Sequence, residues 1–252
     1  MLQEETWRRA RESFRKAKVA LIPVGSIEQH GPHLPLGTDL FLAEALAEGA
    51  AAETGAICAP AVPVGLSEHH RQFWGTLWVE PEAFRSYMEG LGQSLAYHGI
   101  KRLIYINGHG GNWAALQEIC RRLRREGIYA LVWQWWQAVA ELSAELFPQA
   151  GSHAGEAETS MMLYLAEGLI DKEALGEAVA EGAPWWGLQR SGAEVGFDTL
   201  DFSKSGAIGD PRKASKEAGE RLYRAALERL IELVRWLKEV PEDELKPKEH
   251  KP

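Results

Sequence analysis

The chain has 252 residues, 45% of them apolar and 25% charged, with a formal net charge of −8. That length suits one large α/β domain with a substantial core, and the acidic balance argues against nucleic acid or an anionic membrane as the main partner. Two cysteines, Cys58 and Cys120, are too few for a disulfide framework and read as buried free thiols. The start reads as an amphipathic helix rather than a signal peptide, and no apolar run is long enough to span a membrane, so the cytoplasm is the expected location.

Strand-like and helix-like runs alternate along the chain. Strands are expected at residues 19–24, 56–64, 102–106 and 128–133. Helices are expected at 40–53, with Thr38-Asp39 as its cap, and at 81–98, 113–125, 138–146, 156–167 and 214–237, with Ser152 as a cap near the fifth. The arginines at 121, 122, 124 and 125 close one helix, where they complement its dipole. No linker or repeat interrupts the chain, so residues 1–240 read as a single domain and 241–252 as a charged tail that frays. The βα alternation with apolar strands predicts a three-layer α/β/α fold with a mostly parallel central sheet. Ligand sites in such sheets lie beyond the carboxyl ends of the strands.

The polar motifs fall at those ends. After the first strand comes Glu28-Gln29-His30-Gly31-Pro32-His33, closing on Thr38-Asp39. After the second comes Ser67-Glu68-His69-His70, after the third Asn107-Gly108-His109-Gly110-Gly111-Asn112, and after the fourth Trp133-Gln134-Trp135-Trp136. A loop of acids and histidines bounded by glycine and proline is a poor way to build core and a good way to hold a metal. Asn107 and Asn112 can tie the histidine loop down. A later cluster, His153-Ala154-Gly155-Glu156-Ala157-Glu158, opens a helix. Its acids suit the dipole, but residues two apart on a helix face different ways, so only one need reach the site, and Glu158 is assigned to the metal.

Glu28, His30, Asp39, His109 and Glu158 then form a five-ligand set, more than a single catalytic zinc uses. With Asp39 as bridge they would serve two divalent ions, zinc first and manganese or iron as alternatives, about 3.5–4 Å apart, activating a shared hydroxide and polarising a substrate carbonyl. His153, with Glu156, is assigned to catalysis, the histidine moving a proton to the leaving nitrogen. His70, Gly110, Gly111, Trp135 and His33 are the candidate substrate contacts; His33 alternatively orients a ligand from behind, and the roles of His69 and His70 can be exchanged. Trp133, Trp135, Trp136, Trp185 and Trp186 can wall a pocket, or pack in a core or subunit interface. Trp74 and Trp78 look like packing or oligomer contacts.

These motifs, together with Pro23-Val24-Gly25-Ser26-Ile27 before the first loop and Gly206-Ala207-Ile208-Gly209-Asp210-Pro211 before the last helix, resemble the creatininase (creatinine amidohydrolase) family from about residue 18 to residue 237. The resemblance implies an α/β/α domain, often in a hexamer, with a two-metal centre that hydrolyses amide-type C–N bonds. It places metal ligands at Glu28, His30, Asp39 and His109 and the catalytic histidine at His153. True creatininases carry a Tyr and a metal-binding Glu where this chain has Gly110 and Gly111, and a lid tryptophan where it has Gln149. The Gly-Gly loop is more similar to branches that open formamides, trim a redox-cofactor precursor peptide or act on oxidised inositols. The expected activity is hydrolysis of a lactam, formamide or similar small amide. The alternatives are maturation of a short precursor peptide, or metal and ligand binding without catalysis.

Overall fold

A computed structural model describes residues 1–149, 151–179, 188–248 and 250; Trp185 and Trp186 lie outside them. Four parallel strands, β1 (Ala20–Val24), β2 (Ile57–Cys58), β3 (Arg102–Asn107) and β4 (Tyr129–Gln134), form a sheet in the order β2-β1-β3-β4. Helices α1 (Trp7–Lys16), α2 (Thr38–Thr54), α3 (Pro81–Tyr97), α4 (Trp113–Arg125), α5 (Trp135–Ala138), α6 (Ala140–Leu146), α7 (Glu156–Ala166), α8 (Lys216–Glu239) and α9 (Glu242–Leu245) follow in chain order around it.

Alternation along the strands sorts the core into two layers. Leu21, Ile104 and Ile106 pack with Leu42 and Leu46 of α2, Met161 and Met162 of α7, and Leu222, Leu230 and Val234 of α8. Ala20, Ile22, Val24, Leu103 and Tyr105 pack on the other face with Phe84 and Met88 of α3 and Leu116, Ile119 and Leu123 of α4. The sheet is thus covered on both faces, a three-layer α/β/α arrangement. Its register aligns Val24 with Asn107 and Asn107 with Gln134, so the loops after β1, β3 and β4 leave the same edge side by side.

Several local expectations change. The strand expected at 56–64 shortens to β2, because Pro60 and Pro63 have no N–H to give a ladder; Val62 adds only an isolated parallel bridge to Val24. Thr38 and Asp39 are the first residues inside α2 rather than its cap, which is Gly37. The cap of α7 is Gly155, not Ser152. The helix expected at 138–146 starts at Trp135 and breaks at Val139. An antiparallel hairpin, β5 (Leu188–Arg190) and β6 (Ala193–Val195), turns through Ser191 and Gly192, both at positive φ, as a two-residue turn requires. The tail is docked in part: Arg124 donates to the carbonyls of Leu245 and Lys246, so α9 packs where fraying was expected. Cys58 is buried and Cys120 half-buried, and burial pushes both thiols up to about 12. No helix among the described residues is long and apolar enough to cross a membrane.

Candidate metal centre

The loop after β3 and the first turn of α2 meet at a close backbone contact. A side chain at Gly108 would place its Cβ 2.2 Å from the Asp39 carbonyl oxygen, so only glycine lets the two approach. That approach brings His109 Nδ1 to 3.3 Å from Asp39 Oδ2, with Glu28 Oε2 at 2.8 Å from the same nitrogen. Asn107 and Asn112 hold the loop as their positions suggest. The Asn107 amide donates to the His109 carbonyl, while Asn112 donates to the Gly25 carbonyl and accepts from the Leu66 N–H.

His30 lies on the other side of Asp39, its Nε2 3.0 Å from Oδ1 and 4.0 Å from Glu158 Oε2. The five side chains therefore form two triads of donor atoms, Glu28–Asp39–His109 and His30–Asp39–Glu158, with Asp39 in both and one oxygen turned toward each imidazole. Glu28, His30 and His153 also converge. Each triad imidazole uses its other nitrogen on a backbone carbonyl: His30 Nδ1 donates to Glu28 O at 3.1 Å and His109 Nε2 to Leu66 O at 3.1 Å. Both rings thereby turn the remaining nitrogen to the carboxylates, the arrangement that orients imidazole metal ligands.

Burial is the largest influence on these groups, yet it does not decide every charge. It opposes a charged His30, but Asp39, Glu158 and Glu28 hold that imidazole up at about 10. Burial likewise opposes a charged His109, which Glu28 and Asp39 hold well above its usual value. Asp39, despite burial, is held well below the carboxylate range by His30 and His109. Burial raises Glu28 and pushes Glu158 up to about 7. It also keeps His153, beside His30, well below the usual imidazole value. The donors fit a metal: Glu28 Oε2 and Asp39 Oδ2 are buried carboxylate oxygens that converge beside His109 Nδ1 yet make no aligned hydrogen bond among the described residues, at positions a cation would satisfy.

The cluster opens on a cavity of about 790 Å³ lined by Glu28, Asp39, His69, His70, His109, His153 and Glu158 on its polar side. Gly110, Gly111, Trp135 and Trp136 line it as well, joined by Trp113 and Phe197, which sequence reasoning did not single out. Both His69 and His70 reach it; His70 is the deeper, its Nε2 3.4 Å from Glu28 Oε1. Trp133 packs against the core.

Two expected site residues are placed elsewhere. Glu156 does not line the cavity: Oε2 accepts from the Gly151 N–H and Oε1 from the Asp210 N–H, because its position at the start of α7 turns it onto the loops it ties together. His33 also lies outside the cavity lining, its Nε2 2.9 Å from Thr159 Oγ1 of α7. The motif before α8 serves His153, which pairs with Ile208 in an isolated antiparallel bridge. Gln29 and Thr199 were given no role by sequence. Both touch His70, and Gln29 also touches His153. The one signal was Gln29's place between two candidate ligands; Thr199 sits in a segment with no motif.

The sequence model of the family described as Creatininase, Creatinine amidohydrolase, matches residues 3–234. The chain belongs to the creatininase family. Among its relatives, the mycofactocin precursor peptide peptidase of Mycobacterium ulcerans (strain Agy99) is 34% identical over 230 residues, covering 86% of this chain and 84% of its own. The creatinine amidohydrolase of Pseudomonas putida is 25% identical over 236 residues, covering 86% and 88%. A crystal structure of creatinine amidohydrolase (creatininase) superposes with a TM-score of 0.79 at 24% identity over 98% of both chains, a likeness of fold. These relatives are hydrolases, and their substrates differ.

Proposed function

We propose that this creatininase-family chain is a two-metal hydrolase of amide-type C–N bonds, and that its amide belongs to a short peptide. The observation that carries the reading is the pair of donor triads sharing Asp39. Glu28, Asp39 and His109 would hold one divalent ion and His30, Asp39 and Glu158 the other, with oxygen and nitrogen donors that suit zinc, manganese or iron. When bound, two such ions supply an activated water and polarise the scissile carbonyl.

The chain's own residues do the rest. His153 faces the same cavity as both triads, and its neutral imidazole is suited to take a proton and return it to the departing nitrogen. His70, Gly110, Gly111 and Trp135 line the space the substrate would fill. Glu156 holds the His153 loop in place instead of touching substrate. Sequence motifs alone favour lactams and formamides. The 34% identity to a peptide peptidase, against 25% to a creatinine amidohydrolase, and a cavity at the large end of the usual small-ligand range favour a peptide. A homo-oligomer, hexameric by resemblance, would cover the exposed Trp74 and Trp78; light scattering tests it.

Hydrolysis of a short-peptide panel, assayed beside creatinine and formamides, should vanish on chelation and return with zinc, manganese or iron. Turnover that survives complete metal removal would refute the mechanism. Cleavage of creatinine or a formamide but no peptide would refute the substrate assignment alone.

A further inference from the structure

Gln29 stands between Glu28 and His30 but belongs to neither triad and does not line the cavity. Its amide is oriented by two backbone groups: Oε1 accepts from the Gly31 N–H at 2.9 Å, and Nε2 donates to the Gly206 carbonyl at 3.1 Å. One N–H remains on Nε2. Two imidazole nitrogens are within its reach, His70 Nδ1 at 2.7 Å and His153 Nε2 at 3.0 Å. His153 Nε2 is also 2.9 Å from the backbone carbonyl of Gln29, which can only accept, so that nitrogen carries the hydrogen. The remaining Gln29 N–H therefore goes to His70 Nδ1.

We infer that Gln29 is the positioning residue that sets the tautomers of both His70 and His153. Its backbone carbonyl puts the His153 hydrogen on Nε2 and leaves Nδ1 as the nitrogen that can take up a proton. Its side-chain amide makes His70 Nδ1 an acceptor and turns an Nε2–H toward Glu28 Oε1. Thr199 Oγ1, 2.9 Å from His70 Nδ1, completes the cradle of that ring. Gly206, at φ +84°, leaves the room this requires: a Cβ there would overlap Gln29 Oε1. The catalytic consequence rests on the two-metal hydrolase reading; the tautomers themselves do not.

Long-range ¹H–¹⁵N NMR of the zinc-loaded protein tests the tautomers directly. His153 and His70 should both be Nε2–H; an Nδ1–H form of either would overturn the inference. Gln29→Glu keeps the shape but replaces the donor with an acceptor, so His70 should switch to Nδ1–H. For the hydrolase, kcat should fall about 10–100-fold with KM little changed and metal content retained. An unchanged His70 tautomer in Gln29→Glu, or a rate loss that tracks metal loss, would also overturn it. The tautomer result stands whether or not the protein hydrolyses peptides, so failure of the hydrolase reading and failure of this one are distinguishable.

Discussion

The two triads share Asp39 but are built differently. Glu28, Asp39 and His109 come from the loops after β1 and β3 and the first turn of α2, and their side chains are 1%, 3% and 5% exposed. The His30 triad needs Glu158 from α7, whose side chain is 15% exposed and is steered by the Ala154 N–H donating to its Oε2 at 2.5 Å. The first triad is complete once the two sheet-edge loops and the start of α2 are in place. The second exists only once the segment from His153 to α7 has docked, and that segment is held by Ile208 and by both oxygens of Glu156. A site whose donors are already in place binds more tightly than one that must hold a further segment down, so the His109 triad is expected to hold the tighter metal.

Variants can break or sharpen that contrast. The largest rate effect short of losing Asp39 is expected for His153→Ala, which should leave both metals bound and lower kcat by about 10²–10⁴-fold; metal analysis beside steady-state kinetics checks it. Glu158→Ala should release the second metal while the first stays, and His109→Ala should do the reverse, with calorimetric titration of each separating the sites. Gly111→Ala would place a Cβ 2.4 Å from both His109 Nε2 and the Leu66 carbonyl, disturbing the bond that orients His109. It should weaken the first metal about 10–100-fold and spare the second. Glu156→Ala should act through folding. It removes the acceptor for two N–H groups, each costing about 1–3 kcal/mol when left unsatisfied, so urea unfolding should show a loss of that order and the second metal should loosen with it.

The sequence was most legible where several local signals agreed. Four apolar strands in βα alternation placed the loops of Glu28, His69–His70, His109 and Trp135 at one sheet edge, and they are found together there. The five candidate ligands were named from residue type and position, and the fold brings them into two triads. What eluded sequence depended on direction rather than identity. Glu156 and Glu158 are both acids in the first turn of α7, and only the positions of Gly151, Ala154 and Asp210 decide which one faces the cavity. His33 shares its loop with His30 but turns to Thr159 across more than a hundred residues of chain. Gln29 and Thr199 act through contacts to distant histidines, which no local pattern encodes. The hairpin at β5 and β6 did carry a signal, the Ser191-Gly192 turn pair, in a stretch otherwise without clear alternation.

The central claim is that one carboxylate joins two metals, and metal content per subunit measures it. Protein purified without chelator should hold close to two divalent ions, and Asp39→Ala, if it unfolds with the same cooperativity as the parent, should lose both. A parent protein that binds a single ion, or an Asp39→Ala variant that keeps two, would contradict the shared-carboxylate centre.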